Sequence, residues 1–271
     1  LFDRYLGYGW IEDHDKQAIW EFVDTIPDHE LWQRHYWLKI KLIDAIRERC
    51  RRRWVENRTS PSILLSGGAM LDPSVLTIGF ARRFATYKRA DLILQDLPRL
   101  KRMLNDRWRP IQIIFAGKAH PKDNEGKNLI KKLFEIANRP EVRDRIVFLE
   151  DYDMHLARHL LQGADVWLNT PRRPYEACGT SGMKAAINGV LNVSVLDGWW
   201  CEGYRNDRGW RIGDGEEFED ADYQDRIEGQ ALYNVLENEV IPCFYDRESG
   251  GLPLRWLKKM KASMQMAMQD F

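Results

Sequence analysis

The sequence predicts an α/β fold: a doubly wound parallel sheet with helices on both faces and further helices at the two ends of the chain. Three observations carry this. Five short apolar runs recur, Leu76–Phe80, Ile111–Ala116, Ile146–Leu149, Val166–Asn169 and Leu191–Leu196. Runs of this length bounded by polar turns read as strands buried on both faces. Stretches of helical periodicity separate them, at Lys88–Leu104, Gly126–Ala137, Met154–Gly163 and Gly182–Asn188, which is the alternation of right-handed βαβ crossovers. Finally, 271 residues of which 44% are apolar suffice for one large domain or two ordinary ones.

Residues 1–60 read as helical and highly charged. Within them the run from Pro27 to Asn57 sets Leu31, Tyr36, Leu38, Ile40, Leu42, Ile43 and Ile46 at helical spacings, with Asp28 as its expected cap. Arg47 to Arg53 holds five arginines, read as a solvated helix end because the rest of the chain is not basic. Pro61 and the Gly67-Gly68 turn mark the change to strands and helices. Beyond the fifth strand, the acidic stretch Asp214–Asp222 reads as a solvated loop. Helix returns over Gln230–Tyr245 and Pro253–Met268, split by a Ser249-Gly250-Gly251 turn. The expected organisation is a helical lead-in and linker segment at 1–60, the doubly wound unit at 61–229, and C-terminal helices at 230–271 that pack back on it.

Charge and composition exclude several classes. With 41 basic against 41 acidic side chains, no bulk field draws nucleic acid or an anionic membrane, and any anion site must be built locally. No apolar stretch approaches the roughly 20 residues of a membrane span. Cys50, Cys178, Cys201 and Cys243 stand far apart without a CxxC pair, the usage of a reducing compartment, so the expected location is cytoplasmic. The chain opens at Leu1 without an initiator methionine or signal-peptide pattern and is expected to be a piece of a longer protein. Its 11 tryptophans suit either core packing or the faces of sugar rings.

In a doubly wound sheet, ligands sit outside the carboxyl ends of the strands, so the loops there carry the chemistry. After the first strand stand Arg82, Arg83, Lys88 and Arg89, where a nucleotide-binding fold would often place glycines. Cations at an expected helix start oppose the helix dipole, so an anion site stands beside an ordinary basic helix start as an open reading. After the fourth strand the chain reads Glu176-Ala177-Cys178-Gly179-Thr180-Ser181-Gly182-Met183-Lys184. Thr180 is the expected N-cap, with Gly179, Ser181 and Gly182 leaving backbone amides open to a phosphate. Lys184 falls one turn inside that helix, either snorkelling at the surface or partly desolvated and so a nucleophilic amine. Cys178 reads as a packing residue, and His155 with His159, lacking a third ligand, as a surface pair and not a metal site. Trp199-Trp200 could line a sugar cleft or fill the core, and Lys118 is at most a polar contact.

Four segments together resemble the α-glucan (glycogen/maltodextrin) phosphorylases, in their short bacterial and archaeal branch. They are Thr77 to Arg89, Gly117-Lys118-Ala119-His120-Pro121, Phe148-Leu149-Glu150-Asp151-Tyr152, and above all Glu176 to Lys184. The resemblance implies the Rossmann-like, C-terminal and cofactor-carrying domain of a two-domain GT-B glycosyltransferase. By similarity, Lys184 matches the lysine that holds pyridoxal 5'-phosphate covalently, while Thr180, Ser181, Arg82 and Lys88 would bind its phosphate and Tyr152 would pack near its ring. Arg83 and Lys88 match residues that receive substrate phosphate. Glu176 and Gly179 match positions that hold glucosyl hydroxyls, with Cys178 beside them.

The implied reaction is phosphorolysis of α-1,4-glucan ends to glucose 1-phosphate with retention, the partners being inorganic phosphate, the glucan and an N-terminal domain of the same enzyme. Without that domain the chain is expected to be inactive; a homo-oligomer is compatible with the resemblance. Two readings stay open beside it: a retaining sugar-nucleotide glucosyltransferase, which would carry a second glutamate where Lys184 stands, and a non-catalytic carbohydrate-binding domain. The chain also departs from the family at Asp153, where the animal and plant branch has an arginine, at Cys178, and at Ser181-Gly182.

Overall fold

The computed structural model describes residues 1–57, 68–248 and 250–271. Pro61, Gly67 and Ser249, and with them the 60/61 boundary, lie outside the described residues. The five expected strands form at β1 Leu76–Ala81, β2 Ile111–Ala116, β3 Ile146–Leu149, β4 Val166–Asn169 and β5 Leu191–Val195. A sixth, β6 Gly209–Ile212, joins them. It escapes a pattern search because it has four residues and carries the exposed Arg211 on its open side. All pairings are parallel and the order is β3-β2-β1-β4-β5-β6. The fold class expected from the sequence is therefore the one observed.

The principal helices are α1 Asp28–Asn57, α2 Leu97–Leu104, α3 Asn124–Ala137, α4 Met154–Gly163, α5 Thr180–Ile187, α6 Ala221–Val235 and α7 Leu254–Gln269. Asp28 is the first helical residue of α1 and not its cap, since the Pro27 carbonyl accepts the first bonds from Glu30 and Leu31. The helix expected over Lys88–Leu104 is broken into 3-10 turns at Thr86–Lys88 and Leu92–Leu94 before α2 begins. Arg89 takes the left-handed region at φ 44°, which ends the first turn. Asp96 then caps α2 by accepting from the Arg99 amide at 2.9 Å. The C-terminal helix starts at Ala221, where Asp220 accepts from Asp222 and Tyr223, so the acidic stretch ends in a cap and the 229/230 boundary runs through α6.

Side chains alternate between the two faces of the sheet. On β2, Ile113 and Phe115 enter a core closed by α2, α3, α6 and α7, while Ile114 and Ala116 face α1, α4 and α5. Close approach of α1 to α4 needs Gly163, because a Cβ there would lie 2.7 Å from the Leu38 carbonyl oxygen. Below the sheet, α1 is tied down by charge. Asp165 is fully buried, with Lys39 Nζ at 2.5 Å, His35 Nε2 at 2.8 Å and the Thr77 amide at 2.7 Å. Burial opposes the charge on Asp165, but Lys39 and His35 outweigh it and hold the carboxyl below its ordinary value. From the other end of the chain α7 packs against α5.

Candidate functional site

Strands β1 and β4 are neighbours at the centre of the sheet, and the chain leaves them in opposite directions, which opens a crevice beyond their carboxyl ends. The amide of Arg82 still bonds the Ala116 carbonyl at 3.1 Å, so its side chain is aimed by the sheet itself. Its guanidinium Nη2 lies 2.8 Å from Glu176 Oε2. Lys88 Nζ donates to both oxygens of the same carboxylate, at 3.0 and 2.7 Å. The three side chains are only 6%, 10% and 11% exposed for Arg82, Lys88 and Glu176. Burial pulls the Arg82 guanidinium down against the opposing pull of Glu176. Its Nη1 is buried without a partner, so this cluster holds one donor more than its own carboxylate satisfies.

Glu176 is in turn held by a residue the motif reading did not single out. Asp197, in the loop after β5, accepts from the Glu176 amide at 2.9 Å and the Gly198 amide at 3.0 Å. Burial pushes its carboxyl up, with those two amides opposing. Gly198 has φ 55°, and a Cβ there would sit 2.3 Å from the Cys178 carbonyl oxygen, so only glycine lets the two loops meet. The Asp-Gly pair at the carboxyl end of a strand was the available signal.

The first turn of α5 abuts the cluster. Gly179, at φ 93°, is its N-cap in place of the expected Thr180, and a Cβ on Gly179 would stand 3.7 Å from Arg82 Nη2. Ser181 Oγ accepts from Trp167 Nε1 at 3.3 Å, and Thr180 is exposed. Lys184 is also exposed on this helix, so of its two readings the surface amine is the one observed. Arg83 is exposed, Tyr152 is half-buried against the core beneath α4, and Cys178 is half-buried against Trp199 and Trp200. Arg82, Lys88, Glu176 and Gly179 are thus brought together, whereas Arg83 and Lys184 extend towards solvent.

Arg89 does not join this set. Its guanidinium is buried the other way, bonding the Thr170 and Pro171 carbonyls, Asp225 and Glu228. It is a structural tie, and no long helix starts beside these cations. The arginine run at the end of α1 is only partly solvated. Arg51 and Arg52 pair with Glu48, but Arg49 reaches the Asp151 carbonyl and Asp153, and Arg53 reaches Glu150. Asp153 caps α4 through the Leu156 amide at 2.7 Å, which gives that departure from the family pattern a structural reason. His155 and His159 lie with ring centroids 4.4 Å apart and planes tilted by 48°, and no metal-binding group of side chains occurs among the described residues. Trp199 and Trp200 are buried and belong to the core.

Fold and crevice together define a Rossmann-like α/β domain with a cationic cluster at its topological switch point. A profile of the carbohydrate phosphorylases matches residues 2–205. Over 271 residues, all of this chain and 39% of the other protein, it is 51% identical to a glycogen phosphorylase of Aquifex aeolicus. A maltodextrin phosphorylase of Thermococcus litoralis is 48% identical over 98% of this chain and 31% of its own length. A glycogen phosphorylase of Mycobacterium tuberculosis is 45% identical over 92% and 29%. The chain belongs to the carbohydrate phosphorylase family, and it spans well under half the length of these relatives.

Proposed function

We propose that this chain is the cofactor- and phosphate-binding part of an α-1,4-glucan phosphorylase that releases glucose 1-phosphate with retention. The observation that carries the reading is the convergence of Arg82 and Lys88 on one buried carboxylate beside the first turn of α5. The residues suit pyridoxal 5'-phosphate: the unpartnered Arg82 Nη1 and the N-terminus of α5 fit its phosphate, and Lys184, on the same helix, offers an accessible amine. When bound, the cofactor contributes its phosphate group to proton transfer with the substrate phosphate.

The chain's own residues do the rest. Two phosphates held close together repel strongly, and Arg82, Lys88 and an inward-turned Arg83 supply the charge that offsets this. Glu176 gives up its hold on Lys88 and accepts hydroxyls of the glucosyl unit, with Gly179 leaving room and Cys178 behind. Thr180 and Ser181 direct α5 amides to the cofactor phosphate, and Tyr152 packs by the ring. An N-terminal domain of the full enzyme would close the cleft over glucan and desolvate Lys184. The division into a lead-in segment (1–60), a cofactor and phosphate unit (61–229) and returning helices (230–271) belongs to the same proposal, with α6 bridging the last two. No described helix is long and apolar enough to cross a membrane, and the proposed location is the cytoplasm.

Borohydride reduction in the presence of pyridoxal phosphate followed by peptide mass mapping tests the reading. A pyridoxyl adduct confined to Lys184 is expected; an enzyme carrying the N-terminal domain that gave no adduct there would sink it. Incubated alone with maltodextrin and phosphate, the 271-residue chain should release no glucose 1-phosphate.

A further inference from the structure

Asp197 is a buried carboxylate, 7% exposed, and among the described residues no cation pairs with it. Both of its oxygens accept from backbone amides, Oδ2 from Glu176 at 2.9 Å and Oδ1 from Gly198 at 3.0 Å. Burying a carboxylate without a counter-cation is costly, and what this one secures is the start of the Glu176–Gly179 segment. A second stitch joins the same two loops, the Trp199 amide donating to the Cys178 carbonyl at 2.9 Å. The clamp therefore falls on the backbone of the residue whose carboxylate faces Arg82 and Lys88. Carboxylates and phosphates compete for such donors. Glu176 is the anion that any phosphate arriving at the two cations has to displace, and a firmly held backbone makes it the stronger competitor.

We infer that Asp197 is a positioning residue: by fixing the Glu176 backbone it holds the Glu176 carboxylate against Arg82 and Lys88, and so sets the affinity of that cluster for phosphate. The inference rests on the proposed reading of the cluster as a phosphate site. Asp197 acts through Glu176 and makes no ion pair with either cation. The sign of the effect sets this role apart from plain structural support. Removing a residue that only supports the fold weakens phosphate binding, whereas releasing this clamp frees Arg82 and Lys88 and tightens it.

Calorimetric titration of the 271-residue chain with inorganic phosphate tests this. Asp197→Ala removes both acceptors and is expected to bind phosphate about tenfold more tightly, the effect of one hydrogen bond to a charged group. Asp197→Asn keeps one acceptor oxygen for the Glu176 amide and should return most of the way to the parent affinity. An equal gain in both variants would mean that only the negative charge of Asp197 matters, and would overturn the inference, as would unchanged or weaker binding in Asp197→Ala. Should that variant not fold, Asp197→Glu replaces it, keeping the charge but standing one methylene too long for the two amides; tighter binding is expected, and parent-like binding would refute the role. Glu176→Gln separates the inference from the reading beneath it. A folded Glu176→Gln chain that gains no affinity removes the phosphate reading of the cluster and the inference with it, whereas a gain there without one in Asp197→Ala sinks the role of Asp197 alone.

Discussion

Glu176 is the side chain on which the cleft turns. Glu176→Gln leaves Arg82 and Lys88 without their anion, and breaking a buried pair of this kind costs about 3 kcal/mol. Thermal melts in phosphate-free buffer should show that loss, and millimolar inorganic phosphate should restore part of it; a variant as stable as the parent, or indifferent to phosphate, contradicts the reading. Asp165→Asn removes a carboxylate that is fully buried and should cost about 3–5 kcal/mol in urea unfolding. Because the Asp165 carboxyl is held low, its stabilisation is complete above the titration range of a free aspartate, about pH 3.9. That stabilisation disappears as pH falls through the lower folded value, so the variant should have a flatter acid limb below about pH 4. Residue types at the cleft were legible because charge at the carboxyl end of a strand has few structural uses. Their pairing was not, since Lys88 and Arg89 are adjacent in sequence and point to different carboxylates. Nothing local marked Asp165, Lys39 and His35, which meet across 126 and 130 positions of chain.

At the scale of elements, α4 and α5 depend on what holds their ends. Asp153→Ala deletes the α4 cap and the Arg49 contact and should cost about 1 kcal/mol, read as a lower urea midpoint with an unchanged slope. Met264, on α7, is buried against the same core as α5. Met264→Ala should cost about 2–5 kcal/mol and, if α5 is positioned from behind, raise the pyridoxal phosphate concentration needed to label Lys184; stability lost with labelling unchanged would show that α7 supports the fold alone. The strands were legible because double burial gives unbroken apolar runs. The edge strand β6 was not, as one exposed flank dilutes a four-residue signal. The break inside Lys88–Leu104 was hidden because its cause, Arg89 anchored to α6, is tertiary.

For the molecule as a whole, composition alone suggested that the α/β unit begins where the strand pattern begins. The tie between α1 and the sheet argues otherwise. A chain of residues 61–271 would retain every described strand yet strip Asp165 of Lys39 and His35, leaving the Thr77 amide to hold a buried carboxylate beneath β1 and β4. Such a truncation should lose cooperative unfolding, and near-ultraviolet circular dichroism would show it; a cooperative transition would mean that the helix is dispensable. The lead-in helix is therefore no tether but a foundation stone. Anyone shuffling this unit between enzymes, or inserting a reporter upstream of it, must carry residues 28–57 along, since the graft junction that looks natural in the sequence cuts through the most desolvated charges of the fold.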